Sequence, residues 1–201
     1  MPKVLVFDIG NVLIHWDPDH LYARLIPDAA ERAAFFANVL PPEWNLEQDR
    51  GRSWAEAEAE RIALFPDKAD LIRAWRARWH ETVPHALPAN AAVLSDAQQA
   101  GVPCYAITNF AADTFSEAQE RFTFLKSFDG IVVSAHERLI KPDPAIFEVF
   151  LTRYRQRAEN CLFIDDSARN IATARNMGFA TVHVTPETDL RREVAAHGFA
   201  V

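Results

Sequence analysis

Five short runs of nearly unbroken apolar residues punctuate this chain: Val4 to Phe7, Val102 to Ile107, Ile131 to Val133, Cys161 to Ile164 and Thr181 to Val184. A short run without polar alternation suits a strand covered on both faces. Helical stretches separate the runs. Residues 89 to 100 stop at Gly101 and residues 167 to 177 stop at Gly178, and glycine is a natural helix stop. Pro144 opens a helix expected to run to about Arg157. Alternation of this kind predicts an α/β fold with a doubly wound, parallel, Rossmann-like sheet.

The alternation breaks once. Residues 16–87 carry helical patterns and no convincing strand. Ser53 with Glu56 three residues later resembles a capping box ahead of "WAEAEAERIALF". Asp67 with Asp70 is expected to start the next helix, whose Leu71, Trp75 and Trp79 recur at i, i+4, i+8 as a core-facing stripe. The two prolines of "VPHALP", residues 83 to 88, mark a return. The expected organisation is a core domain of residues 1–15 and 88–201, with an inserted helical cap of residues 16–87.

Composition narrows the function. The chain has 201 residues, enough for one core plus an inserted subdomain. A net charge of −7 argues against nucleic acid as partner, because phosphate backbones need clustered Lys and Arg. No apolar run approaches the roughly 18 residues of a membrane span. The start of the chain enters a strand directly, without the basic and apolar pattern of a signal peptide, so a cytoplasmic protein is expected, as a monomer or homodimer. Cys104 and Cys161 each begin an apolar run and are expected to be reduced core residues.

Ligands of open parallel sheets bind at the carboxyl ends of the strands. Those ends form a coherent series. The first run stops at Asp8, followed by Gly10 and Asn11. The second stops at Thr108 and Asn109. After the third comes "RLIKPDP", with Lys141. The fourth stops at Asp165 and Asp166. Adjacent acids after "CLFI" repel one another unless a cation stands between them. Together these groups suit phosphoryl transfer. A carboxylate such as Asp8 attacks phosphorus and forms an aspartyl phosphate. A Mg²⁺ held by carboxylates, with Lys141, balances the phosphate charge. Thr108 and the Asn109 amide donate hydrogen bonds to the transferring oxygens. Gly10 makes the turn and can offer its carbonyl to the metal. The expected substrate is a small phosphorylated molecule.

"VFDIGNVL", "AITN", "IKPDPAIF" and "LFIDDSARNIATARNMGF" resemble, in order and spacing, the four motifs of the haloacid dehalogenase-like (HAD) hydrolase superfamily. The helical insert is similar to that of its helical-cap subgroup. The resemblance implies Asp8 as nucleophile and metal ligand, Thr108 and Lys141 as phosphate contacts, and Asp166 as the principal acid for Mg²⁺. Asp165 would assist the metal or hold Lys141. The first motif resembles that of D-x-G-N phosphatases acting on sugar phosphates. Asn11, Asn109 and, from the cap, Trp16, Trp44, Asn45, Asp49 and Arg50 are candidates to face the substrate. The loop "QDRGRSW", residues 48 to 54, resembles the family's cap loop that reaches toward the site.

One departure stands out. The usual phosphatase motif is D-x-D, whose second acid protonates the leaving group, and this chain has Gly10 there. His15, Asp17 and His20 are the nearby candidates to replace it. The same departure fits a second class, the metal-independent 2-haloacid dehalogenases, in which the aspartate attacks carbon. By the resemblance, those enzymes carry small hydroxyl residues where this chain has Asp165 and Asp166. A third reading is a non-catalytic phosphate-binding protein of the same fold.

Overall fold

The structure, a computed structural model, describes residues 1–201. Five parallel strands, β1 (Val4–Phe7), β2 (Cys104–Thr108), β3 (Gly130–Val133), β4 (Cys161–Asp165) and β5 (Ala180–His183), pair in the order β3-β2-β1-β4-β5. The helices in chain order are α1 (Asp19–Leu25), α2 (Ala29–Asn38), α3 (Pro42–Asp49), α4 (Trp54–Leu64), α5 (Ala69–Ala77), α6 (Pro88–Gln99), α7 (Ala112–Arg121), α8 (Ser134–Glu137), α9 (Pro144–Arg153), α10 (Ala168–Asn176) and α11 (Leu190–Ala196). No helix is long and apolar enough to cross a membrane.

The two-residue period of a strand sends successive side chains to opposite faces. Leu5 and Phe7 of β1 therefore pack with Val93, Leu94 and Ala97 of α6 and with Leu190 and Val194 of α11. Val4 and Val6 pack with Ile146, Phe147 and Phe150 of α9 and with Ile171 and Ala174 of α10. Each fully buried side chain of this size contributes about 1.5–3 kcal/mol, which is why β1 has no polar position. Cys104 and Cys161 sit in these two layers, buried and unpaired, and burial lifts both thiols to about 12.

Helices α1 to α5 lie between β1 and α6 in sequence and share their own apolar cluster, with Tyr22, Phe35, Trp44, Ala57, Ile72 and Trp75 at its centre. The two segments joining them to the sheet run side by side. His15 N donates to His85 O (3.0 Å), Asp17 N to Thr82 O (2.9 Å) and Leu87 N to Leu13 O (2.8 Å). Ser53 caps α4 by accepting the amide of Glu56, and its hydroxyl donates to the Glu56 carboxylate at 2.7 Å.

Local geometry shifts several expected boundaries. Asp67 caps nothing: Pro66 starts a 3₁₀ turn through Lys68, and α5 begins only at Ala69. Trp79 lies beyond the end of α5, in a second 3₁₀ turn, and packs with Ile9, Ile14 and Phe110 instead of with Trp75. The i, i+4, i+8 spacing crosses a break that periodicity does not register. Helix α9 stops at Arg153, short of Arg157, because the chain turns left-handed at Arg155 (φ 52°). There the Tyr154 ring lies over Gly130, where a Cβ would come within 2.3 Å of it. Strand β2 starts at Cys104, since Val102 N still closes onto Ala97 O at the end of α6.

Candidate active site

The strand ends meet as the topology requires. Asp8 extends the β1–β4 ladder, its N–H donating to Ile164 O at 2.8 Å, so its carboxyl emerges beside the end of β4. There Oδ1 accepts the Ile9 amide (2.7 Å) and Oδ2 lies 2.9 Å from Lys141 Nζ. Lys141 also donates to Asp165 Oδ2 at 2.7 Å. Asp165 is fully buried and saturated: Ser167 N (2.8 Å) and Asn170 Nδ2 (2.9 Å) donate to its Oδ1. Asp166, the next residue, is half-buried, and the Asn11 side chain nearby favours its charged form.

Carboxylate oxygens of Asp8, Asp165 and Asp166 lie within 4.8 Å of one another. Three carboxylates and one ammonium leave two uncompensated negative charges, the charge of one divalent cation. Burial raises the Asp8 carboxyl well above the usual carboxylate range; Lys141 opposes this and Asp165 adds to it. Burial, then Asp165, raises Asp166 as well. Burial by itself lowers the Lys141 ammonium, but Asp165 and Asp8 outweigh it and hold the amine above its ordinary value. The donor set is all oxygen, as Mg²⁺ prefers. At the end of the neighbouring strand β2, Thr108 Oγ1 is buried without a hydrogen-bond partner, although buried hydroxyls are normally satisfied.

The remaining expected residues are placed unevenly. Asn109 lines the cavity, and its side chain accepts the Lys141 backbone N–H (2.8 Å) and donates one Nδ2 hydrogen to the Lys141 carbonyl (3.0 Å), which positions the lysine. Gly10 lines the cavity, but the left-handed residue of the turn is Asn11 (φ 53°). A Cβ on Gly10 would meet nothing within 4 Å.

A cavity of about 730 Å³ opens between the strand ends and the helical insert. Asp8, Trp16, Asn45, Asp49 and Asp166 line it. Trp44 does not. It is buried in the insert's own core, edge-on to Trp54 and Trp75. Arg50 faces solvent beside Glu47. Asp17 is on the wall, with its Oδ1 engaged by the Asp19 amide at 2.8 Å. His15 and His20 gather with His85 away from the cavity, and burial lowers the His15 pKa. Sequence reasoning missed Phe36, Trp54, Trp79 and Phe110, which complete an aromatic wall. Nothing local marks them, since a helical tryptophan facing a cavity has the spacing of one facing a core.

Comparisons with known proteins agree with this geometry. The chain is 25% identical over 185 residues to a sesquiterpene phosphatase, astK, of Aspergillus oryzae, covering 91% of this chain and 90% of the relative. A HAD family enzyme of Bacteroides thetaiotaomicron, solved in complex with magnesium and inorganic phosphate, superposes with a TM-score of 0.74 at 17% identity, over 96% of this chain and 99% of the other. An L-2-haloacid dehalogenase of Xanthobacter autotrophicus, solved with chloropropionic acid covalently bound, superposes with a TM-score of 0.65 at 18% identity, over 100% and 85%. At these identities the two structures speak to the fold alone. Residues 2–178 match the family described as haloacid dehalogenase-like hydrolase. That span includes the ends of β1 to β4, and the chain belongs to the haloacid dehalogenase-like hydrolase family.

Proposed function

We propose that this enzyme is a Mg²⁺-dependent phosphatase of small phosphate monoesters, working through an aspartyl phosphate on Asp8. The observation that carries this is the cluster of three carboxylates, two of them buried and paired with Lys141, together with the unpartnered hydroxyl of Thr108 at the end of β2. Asp8 would attack phosphorus, its lone pair forming the new P–O bond while the bond to the leaving oxygen breaks. Lys141 offsets phosphate charge and Thr108 donates a hydrogen bond to a phosphate oxygen. Asp8, Asp166 and the Gly10 carbonyl would hold the metal, and Asp165 would keep Lys141 in place. When bound, Mg²⁺ relieves the repulsion between the Asp8 carboxylate and the phosphate dianion.

The dehalogenase reading draws support from Gly10, because halide departure needs no proton. It fails on charge: that chemistry uses no metal, so nothing would offset the excess negative charge of Asp8, Asp165 and Asp166, to which the 2-haloacid carboxylate adds. Residues 16–87 act as a cap over the strand ends. The wall they share with the core carries Trp16, Phe36, Leu40, Trp54, Trp75 and Trp79, which favours an ester whose organic part is apolar over a sugar phosphate. The terpenoid substrate in the name of the Aspergillus relative supports the same preference. The test is phosphate release with Mg²⁺ from aryl, prenyl and sugar phosphates, run beside halide release from 2-haloacids. Phosphate release from the apolar esters is expected; halide release alone would overturn the assignment.

A further inference from the structure

A phosphatase of this kind needs a proton for the leaving oxygen, and position 10 has no side chain to give one. We propose that Asp49, from the helical insert, is the proton donor to the leaving group; this rests on the phosphatase reading above. The residue sits on the same cavity wall as Asp8, Gly10 and Asp166.

Its placement is fixed from both sides. Ser134, at the end of β3, donates from Oγ to the Asp49 carbonyl at 2.6 Å and accepts the Phe110 amide at 2.8 Å. This ties the end of α3 to the end of the sheet. Two residues on, Gly51 (φ 101°) passes so close to α8 that a Cβ would stand 2.9 Å from Ala135 O. The carboxyl is aimed by a relay: Trp75 Nε1 donates to Asn45 Oδ1 (3.1 Å), which turns Asn45 Nδ2 toward Asp49 Oδ2 (3.1 Å).

The surroundings favour the protonated form. No Lys, Arg or His lies within ion-pairing distance of Asp49, unlike Asp8 and Asp165. The residue ends α3, where the negative end of the helix dipole disfavours a second negative charge. Burial raises its pKa to about 7, against the opposing pull of the Ala111 amide. An acid poised there suits a group that gives and later takes a proton at neutral pH. Asp17 and Asp19 also line the cavity, but they are engaged at the start of α1, where Asp17 Oδ1 accepts the Asp19 amide and the Asp19 carboxylate pairs with Arg32.

The chemistry balances. As Asp8 bonds to phosphorus, the electron pair of the breaking P–O bond goes to the leaving oxygen, which takes the Asp49 proton and departs as the alcohol. The Asp49 carboxylate then takes a proton from water as the water oxygen bonds to phosphorus. The Asp8–phosphorus bond breaks, and Asp8 and protonated Asp49 are restored.

The experiment is single-turnover phosphorylation by a series of aryl and alkyl phosphates of rising leaving-group basicity, in wild type, Asp49→Asn and Asp49→Glu. Expected is a shallow dependence in wild type and Asp49→Glu. In Asp49→Asn the loss should be smallest for p-nitrophenyl phosphate and grow to about 10²-fold or more for alkyl esters. A loss uniform across the series, no loss, or equal steepness in the Glu variant would overturn the role of Asp49 while leaving the phosphatase reading intact. Absence of any phosphorylation in wild type would overturn both.

Discussion

Lys141 and Asp165 form a 2.7 Å ion pair whose side chains are 1% and 0% exposed. Breaking such a pair from one side strands a buried charge, which typically costs about 3–5 kcal/mol. Lys141→Ala is therefore expected to lose stability of that order in urea unfolding, beyond its loss of activity. Asp165→Asn should unfold early too, because Lys141, Ser167 and Asn170 all address that one carboxylate. A Lys141→Ala variant as stable as wild type would show that the pair is solvated.

Asp49 links stability to pH. Its folded pKa of about 7 stands above the ordinary carboxylate value of 3.8. The folded state therefore binds more protons than the unfolded chain between those pH values, and stability falls as pH rises through that window. Asp49→Asn removes the penalty. It should be more stable than wild type at pH 8, by at most about 4 kcal/mol at about 1.4 kcal/mol per pKa unit, and the gain should vanish below pH 4. Unfolding curves of both proteins across pH check this; a gain independent of pH would refute the linkage.

Gly10→Asp is expected to fold normally. Gly10 avoids the left-handed region and has open space where a Cβ would stand, so the side chain is accommodated and the cost comes from the added charge near Asp8 and Asp166, which Mg²⁺ should offset. Added to Asp49→Asn, it should restore part of the rate on basic leaving groups. A double variant no faster than Asp49→Asn alone would mean that position 10 does not reach the leaving oxygen.

Asp166 is the least enclosed acid of the three and has no lysine partner, so it depends most on a cation. Asp166→Asn should raise the Mg²⁺ concentration needed for half-maximal activity by about tenfold or more. The Mg²⁺-induced rise in melting temperature seen with wild type should shrink in parallel. An unchanged titration by both readouts would remove Asp166 from the metal site.

The strand ends were legible because a buried strand leaves little room for ambiguity: "VLVF" and "CLFI" admit no polar residue until the sheet ends, and the next residue is where chemistry begins. Asp8, Thr108, Asp165 and Asp166 followed from that, whereas Lys141, beyond β3 and α8, came with the motif "IKPDPAIF". Trp44 and Trp54 show the limit. Both are tryptophans of the insert, yet Trp44 fills its core and Trp54 lines the cavity, a difference set by packing between helices. Asn109 has, besides its expected place at the cavity, a positioning contact that only the fold shows: its side chain pairs with the backbone of Lys141. The part played by Asp49 depends on Ser134, 85 residues away, and no local pattern encodes that contact.

The most direct test of the account is to quench the enzyme in acid during turnover of p-nitrophenyl phosphate with Mg²⁺, reduce with borohydride and map the product. An acyl phosphate on Asp8 is reduced to homoserine, so the tryptic peptide Val4–Arg24 should carry that change at residue 8, and Asp8→Asn should carry none. Turnover with no modification at Asp8, or a trapped phosphate on any other residue, would contradict the mechanism.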